Sequence, residues 1–178
     1  MPCIWITGLS GSGKTTLATE LVAVLRRETV AVVSLDGDVL REVFGAATID
    51  GTNHSRQARI SLALKYAHLC KVLSEQGLTV VIATISLFGE VHRWNRESVP
   101  GYFEVFLDVP LAELRRRDPK GIYQAFDAGE IRDVAGLDLP VDLPEAPDLV
   151  LSFSGKETAT VLAEQTLDAY RRAVTCED

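Results

Sequence analysis

Eight residues near the start of the chain, Gly8-Leu9-Ser10-Gly11-Ser12-Gly13-Lys14-Thr15, narrow the possible folds more than any other stretch. An apolar pentapeptide, Cys3-Ile4-Trp5-Ile6-Thr7, precedes them, and a helical pattern from Thr16-Leu17-Ala18 to Leu25 follows. Strand, glycine-rich turn and helix in that order form a cradle for phosphate. The glycines let backbone N–H groups turn inward around an anion with no Cβ in the way. The N-terminus of the helix adds unpaired donors and the positive end of its dipole. In a Gly-x-x-x-x-Gly-Lys-Thr loop the lysine reaches the β- and γ-phosphates and the threonine hydroxyl ligates Mg²⁺. The sequence therefore predicts a nucleoside-triphosphate site built from Gly8, Ser10, Gly11, Ser12, Gly13, Lys14, Thr15 and Thr16. The alternative, a flexible Gly/Ser turn, is disfavoured by the strand and helix on either side.

The rest of the chain alternates in the way such a loop requires. Val30 to Leu35, Leu78 to Ala83, Tyr102 to Val109 and Asp148 to Leu151 read as four further strands. The third of the five is continuously apolar, as a strand buried on both faces should be. Between them lie a long helix over Ser55–Gln76, ended by Gly77, and a shorter one over Leu111–Arg117 introduced by Pro110. A last helix carries the stripe Ala159, Leu162, Ala163, Ala169, Tyr170 and Ala173. This βαβ order predicts an α/β protein of the P-loop NTPase type. It implies a five-stranded parallel sheet with helices on both faces, in a single domain over 1–178. Residues 118–147 break the pattern with Pro119, Pro140, Pro144 and Pro147 and few apolar runs. A segment of that length and irregularity suits a lid that closes over a nucleotide and excludes water, with Arg115 to Lys120 supplying positive charge.

Charge and composition limit the partners. With a net charge of −7 and 47% hydrophobic residues, the chain is globular and lacks the basic surplus of a nucleic-acid binder. No apolar run approaches the ~20 residues of a membrane span, and the chain enters its first strand without a charged-then-apolar leader. Cys3, Cys70 and Cys176 are odd in number and lack metal-ligand spacing, so reduced thiols and a cytoplasmic location are expected.

Ligands in open α/β sheets bind at the carboxyl ends of the strands. Strand two ends in Leu35-Asp36-Gly37-Asp38, two carboxylates suited to organising Mg²⁺ and accepting a hydroxyl proton. An Asp-Gly turn with Asp38 as a helix cap is the bland reading, and both can hold. Arg41, one helical turn on, can face the same cleft and bind an anion in bidentate fashion. Strand three runs on into Thr84-Ile85-Ser86-Leu87-Phe88, where Ile85 and Ser86 are candidates for an acceptor pocket or plain core. Arg56 and Arg59 are candidate anion contacts, and so are Arg93 and Arg96, with solvated charge the default for each. His54, His68 and His92 form no metal-binding pattern.

These residues resemble adenylylsulfate kinase over nearly the whole chain. The resemblance rests on Trp5 to Thr15, on Leu35-Asp36-Gly37-Asp38 with Arg41, and on Glu104 to Leu111. The lid matches through Arg117-Asp118-Pro119-Lys120-Gly121-Ile122-Tyr123, Ala128 to Ile131 and Gly136-Leu137-Asp138. It implies transfer of the ATP γ-phosphoryl group to the 3′-hydroxyl of a small nucleotide acceptor, with Mg²⁺. It implies Lys14, Asp36, Asp38 and Lys120 as catalytic groups, with either aspartate as the base, and Thr15 and Asp36 as the metal set. Arg117 joins the ATP-binding residues. The acceptor-binding set is Asp38, Arg41, Arg56, Arg59, Ile85, Ser86 and Lys120. Homodimers are common in that family.

Departures from the family pattern cluster on the acceptor side. Val39 replaces Asn, Asp50-Gly51-Thr52-Asn53 replaces an aromatic-containing stretch, and Arg59-Ile60-Ser61 stands where Asn-Ile-Arg is usual. Ser86-Leu87-Phe88-Gly89 replaces Ser-Pro-Tyr-Arg, and Val134 stands near a lid Phe position. Two aromatics that sandwich the acceptor adenine are missing, and stacking is worth ~1–3 kcal/mol per base. Phe44 or Phe126 would have to replace them. The stretch Ala83 to Phe88, with Asn95-Arg96, looks more like a capsule-associated branch that phosphorylates a cytidine diphosphoramidate-type nucleotide at the ribose 3′-hydroxyl. Adenylylsulfate itself is the other acceptor. A non-catalytic regulatory domain is a reading of another class, opposed by the presence of Lys14, Thr15, Asp36 and Asp38. A different small-molecule P-loop kinase is opposed by the lid motif.

Overall fold

The computed structural model describes residues 2–28, 31–44 and 55–175. Five strands, β1 (Cys3–Thr7), β2 (Val32–Asp36), β3 (Thr79–Ala83), β4 (Tyr102–Asp108) and β5 (Leu149–Ser152), form one sheet in the order β2-β3-β1-β4-β5. Every pairing is parallel, with Trp5 level with Ile82 on one side and Glu104 on the other. The expected five-stranded parallel sheet is what the chain forms. β1 and β3 are buried at all five positions, which is why both read as unbroken apolar runs.

Alternate residues of β1 feed two cores. Ile4 and Ile6 face α1 (Lys14–Glu28) and α7 (Ala159–Thr175), packing with Leu17, Leu21 and Leu167. Cys3 and Trp5 face the opposite layer, α2 (Gly37–Val43), α3 (Arg56–Glu75) and α4 (Gly89–Ser98), with Ile60, Ala67 and Val91. Cys3 and Cys70 are buried free thiols in that layer, whereas Cys176 lies outside the described residues.

Three elements differ from the sequence reading. β2 begins at Val32, Val30 lying outside the described residues, and α2 follows it without a loop. The cap of α2 is Asp36, not Asp38: its Oδ1 accepts the Asp38 backbone N–H at 2.8 Å. Helix α4 has a largely polar sequence, Gly-Glu-Val-His-Arg-Trp-Asn-Arg-Glu-Ser, whose apolar side is the short pair Val91 and Trp94, and it is absent from the sequence reading. The lid region is also less irregular than expected. After α5 (Leu111–Arg117) it forms α6 (Ile122–Asp127), whose first turn is held by Asp118 accepting from Tyr123 N and Gln124 N. Farther on, Asp138 accepts from the backbone N–H groups of Asp133 and Val134 and closes a tight turn.

Candidate active site

The loop after β1 lies at the carboxyl edge of the sheet, flanked by the ends of β3 and β4. Gly8 has φ 152°, and a Cβ there would lie 2.9 Å from Leu107 O and 2.8 Å from Ser12 Oγ, so only glycine lets the loop leave the sheet this closely. Lys14 curls back, its Nζ donating to Leu9 O at 2.7 Å. Burial, and then the nearby Lys120 ammonium, bring the Lys14 pKa down to about 8, against the opposing pull of Asp38 and Asp36. Thr15 Oγ1 donates to Asp36 Oδ2 at 2.8 Å. Both oxygens of Asp36 are thus committed, one to the loop and one to α2.

Asp38 differs from its neighbour. Its side chain is 60% exposed, and Oδ2 takes an ion-paired hydrogen bond from Lys120 of the lid. That bond holds the Asp38 carboxyl below its usual range. Gly37, between the two aspartates, packs on the end of β3: a Cβ there would meet Thr84 Oγ1 at 2.9 Å. Tyr66 of α3 donates to Gly37 O at 3.2 Å from below. The Asp-Gly-Asp turn is therefore fixed from three sides.

These groups surround one cavity of about 360 Å³. Of the residues named from sequence, Ser10, Gly11, Gly13, Lys14, Thr15 and Thr16 line it from the loop. Asp36, Asp38 and Arg41 line it from the end of β2 and from α2, and Arg59 from α3. Ile85 and Ser86 form a wall, while Arg117 comes from the end of α5 and Lys120 from the turn between α5 and α6. Gly8 does not line it, and Ser12 faces a neighbouring cleft. Arg59 Nη2 donates to Asp133 O at 2.7 Å, tying α3 to the lid. Helix α6 is also seated on the loop, with Tyr123 Oη donating to Ser10 O at 2.9 Å.

Arg56 is not part of this cavity. Its guanidinium pairs with Asp142 Oδ2 at 2.6 Å and lies over the Phe88 ring, lining a separate pocket under α4. Arg96 pairs with Asp148 at 2.7 Å, and His68 stacks on Trp94. His54 and the stretch Asp50–Asn53 lie outside the described residues. Among the described residues no cluster of three or more His, Cys, Asp or Glu side chains is placed to hold a metal.

A second cleft, of about 220 Å³, opens beside the loop between α5 and the end of β5. Its feature is Arg117, whose Cζ lies 4.4 Å from the centroid of the Phe153 ring. Ser12, Gly13, Thr16 and Arg117 border it, so a flat group placed there would continue into the phosphate loop. Phe153 was not singled out from sequence. Its signal was weak: one aromatic just past a strand end, where α/β sheets place their ligands.

A model of the adenylylsulphate kinase family matches residues 1–152. The cytidine diphosphoramidate kinase of Campylobacter jejuni is 42% identical over 151 residues, covering 85% of either protein. The adenylyl-sulfate kinase of Pseudomonas aeruginosa is 37% identical over 150 residues, 83% of this chain and 74% of that protein. The Mycobacterium tuberculosis APS kinase, solved with AMPPNP and APS, superposes with a TM-score of 0.83 at 32% identity, over 96% of this chain and 97% of that one.

Proposed function

The chain belongs to the adenylylsulfate kinase family, and we propose that it moves the γ-phosphoryl group of ATP to the ribose 3′-hydroxyl of a cytidine diphosphoramidate-type nucleotide. The observation that carries the kinase chemistry is the meeting of Lys14, the Thr15–Asp36 pair and the Asp38–Lys120 pair around one cavity. The acceptor is supported by the 42% identity with the Campylobacter jejuni enzyme. It is also supported by the lid wall, where Val134 is buried and Ala135 lines the cavity, leaving less stacking surface than an adenine sandwich.

Each residue then has a distinct task. The loop N–H groups and Lys14 hold the β- and γ-phosphates. The ATP base fits the cleft bordered by the stacked Arg117–Phe153 pair, lying against its open side, where stacking and cation–π attraction favour a flat ring. Thr15 and Asp36 offer two hard oxygens within 2.8 Å of each other, a donor set suited to Mg²⁺, which takes its remaining ligands from phosphates and water. When bound, the ion neutralises charge on the β- and γ-phosphate oxygens. Asp38 is the base: unlike Asp36, it is not occupied by the fold, and its partner is a mobile-ended lysine. Its low basicity is no obstacle, because phosphoryl transfer through a loose transition state releases the hydroxyl proton late. The 3′-oxygen forms its bond to Pγ, the Pγ–O bond to ADP breaks, and the proton passes to Asp38. Lys120 then faces the charge that builds on the transferring group. Arg41 and Arg59 bind the diphosphate-like part of the acceptor.

Adenylylsulfate is the second reading, favoured by the Pseudomonas aeruginosa relative and the Mycobacterium tuberculosis complex. The protein is incubated with ATP, Mg²⁺ and each acceptor separately, with ADP release followed and the product located by ³¹P NMR. Cytidine diphosphoramidate is expected to give faster turnover and a 3′-phosphate. Faster turnover of adenylylsulfate would reverse the acceptor assignment, and acceptor-independent ADP release alone would defeat it. Asp38→Asn is expected to lower kcat about 10²–10⁴-fold with ATP affinity retained.

A further inference from the structure

The acceptor-facing wall is strained, and it is held from behind. Ser86 has φ 22°, inside the left-handed region that non-glycine residues avoid at ~1–3 kcal/mol. Its hydroxyl pairs with Thr84 Oγ1 at 2.8 Å, and Thr84 is the side chain on which Gly37 rests. The backbone of Ser86 is thus two contacts from both aspartates. Its carbonyl oxygen has two partners. Phe88 N donates to it at 3.0 Å, and His92 Nε2 approaches at 2.9 Å from the first turn of α4.

His92 is only 8% exposed and lies outside the cavity. Because Ser86 O can only accept, the His92 hydrogen must be on Nε2. The other ring nitrogen, Nδ1, faces Glu104 Oε1 at 3.6 Å. Glu104, on β4, is 3% exposed and is itself fixed: Tyr102 Oη donates to Oε1 at 3.0 Å, and Arg96 Nη2 stands 3.5 Å from Oε2. The Glu104 backbone N–H is anchored on Asp148 at 2.6 Å. At 3.6 Å the Nδ1–Glu104 approach is beyond hydrogen-bond reach, so the ring is fixed by its bond to the Ser86 carbonyl and by burial.

Resting on the acceptor-kinase reading above, we propose that His92 is a positioning residue for the acceptor. It holds Ser86 in its unfavourable backbone conformation, so that Ile85 and Ser86 present a fixed wall to the incoming nucleotide. Without this hydrogen bond the Ser86 carbonyl keeps a single partner, and the loop relaxes toward ordinary backbone angles. Among the described residues no hydrogen bond of His92 reaches residues 8–16, and the wall meets that end of the sheet through Thr7 Oγ1 donating to Ile85 O at 2.5 Å, so the effect falls chiefly on the acceptor.

The test compares His92→Phe, which fills the space without a donor, with His92→Gln, whose amide nitrogen replaces Nε2. Kinetics are run with cytidine diphosphoramidate, or with adenylylsulfate if the wild-type protein turns over only that. His92→Phe should raise the acceptor KM about tenfold and leave the ATP KM within about twofold, and His92→Gln should restore most of the loss. Where the Phe variant does not fold, His92→Asn, too short to reach Ser86 O, makes the same comparison. An unchanged acceptor KM, an equal rise in both KM values, or a Gln variant as impaired as the Phe variant would overturn the proposal. A wild-type protein that turns over neither acceptor defeats the underlying kinase reading instead.

Discussion

At neutral pH the Lys14 ammonium is held against its surroundings, since burial brings its pKa from 10.5 to about 8. Between those two values the folded state has lost a proton that the unfolded state keeps. This contribution to stability therefore rises with pH across that window and is most unfavourable below it. A bound triphosphate reverses the balance by favouring the charged form. ATP binding should accordingly take up close to one proton near pH ~9 and almost none near pH ~6.5, the difference following from the lowered pKa. Calorimetry in buffers of different ionisation enthalpy reads the uptake directly, and equal heats in all buffers at the higher pH would contradict it. The same residue scale explains why the two aspartates part company. Asp36 is spent on Thr15 and on the α2 cap, while the half-exposed Asp38 carboxylate bonds Lys120 and feels the Arg41 and Lys14 charges.

Elements place these groups, and they did so with unequal legibility. β1 and β3 are buried on both faces, so their apolar runs declared both strands and the loop between β1 and α1. Helix α4 declared nothing, because the face it buries is made of Val91, His92 and Asn95, two of them polar. Arg56 and Arg59 stand three residues apart on α3, but one reaches Asp142 and the other the cavity. Spacing alone could not separate them, since the choice depends on where a distant lid carboxylate lies. Phe153 became visible only once β5 was known to adjoin β4, and β4 the central strand. Two substitutions probe how elements meet. Gly37→Ala would press a methyl on Thr84 and lift α2 from the end of β3. It should cost about 1–3 kcal/mol in chemical denaturation and lower kcat more than tenfold. Phe153→Ala should raise the ATP KM about five- to tenfold and leave the acceptor KM alone, as loss of one stacking face predicts. A matching rise for the acceptor would place the ATP base elsewhere.

The molecule as a whole is acidic, at −7, yet its cavity gathers Lys14, Arg41, Arg59, Arg117 and Lys120. Anionic substrates are thus drawn by a local field inside a repelling exterior. Raising NaCl from about 50 to 500 mM shortens the Debye length from ~14 to ~4 Å. At constant free Mg²⁺ it should raise both nucleotide KM values several-fold, as steady-state kinetics would show, and a fall with salt would mean that the exterior charge dominates. The central place of β1 in an all-parallel sheet has a consequence in time as well as in space. Its neighbours are Thr79–Ala83 and Tyr102–Asp108, so this strand, made before the other four, waits roughly 70 residues for its first sheet partner and longer for its second. At ribosomal rates of ~5–20 residues per second, the roughly 70 residues separating it from β3 take about 4–14 s to appear. Throughout that interval Cys-Ile-Trp-Ile-Thr emerges as a naked apolar peptide, a natural client for chaperones. The nucleotide cradle, encoded first, is among the last parts of the protein to take shape.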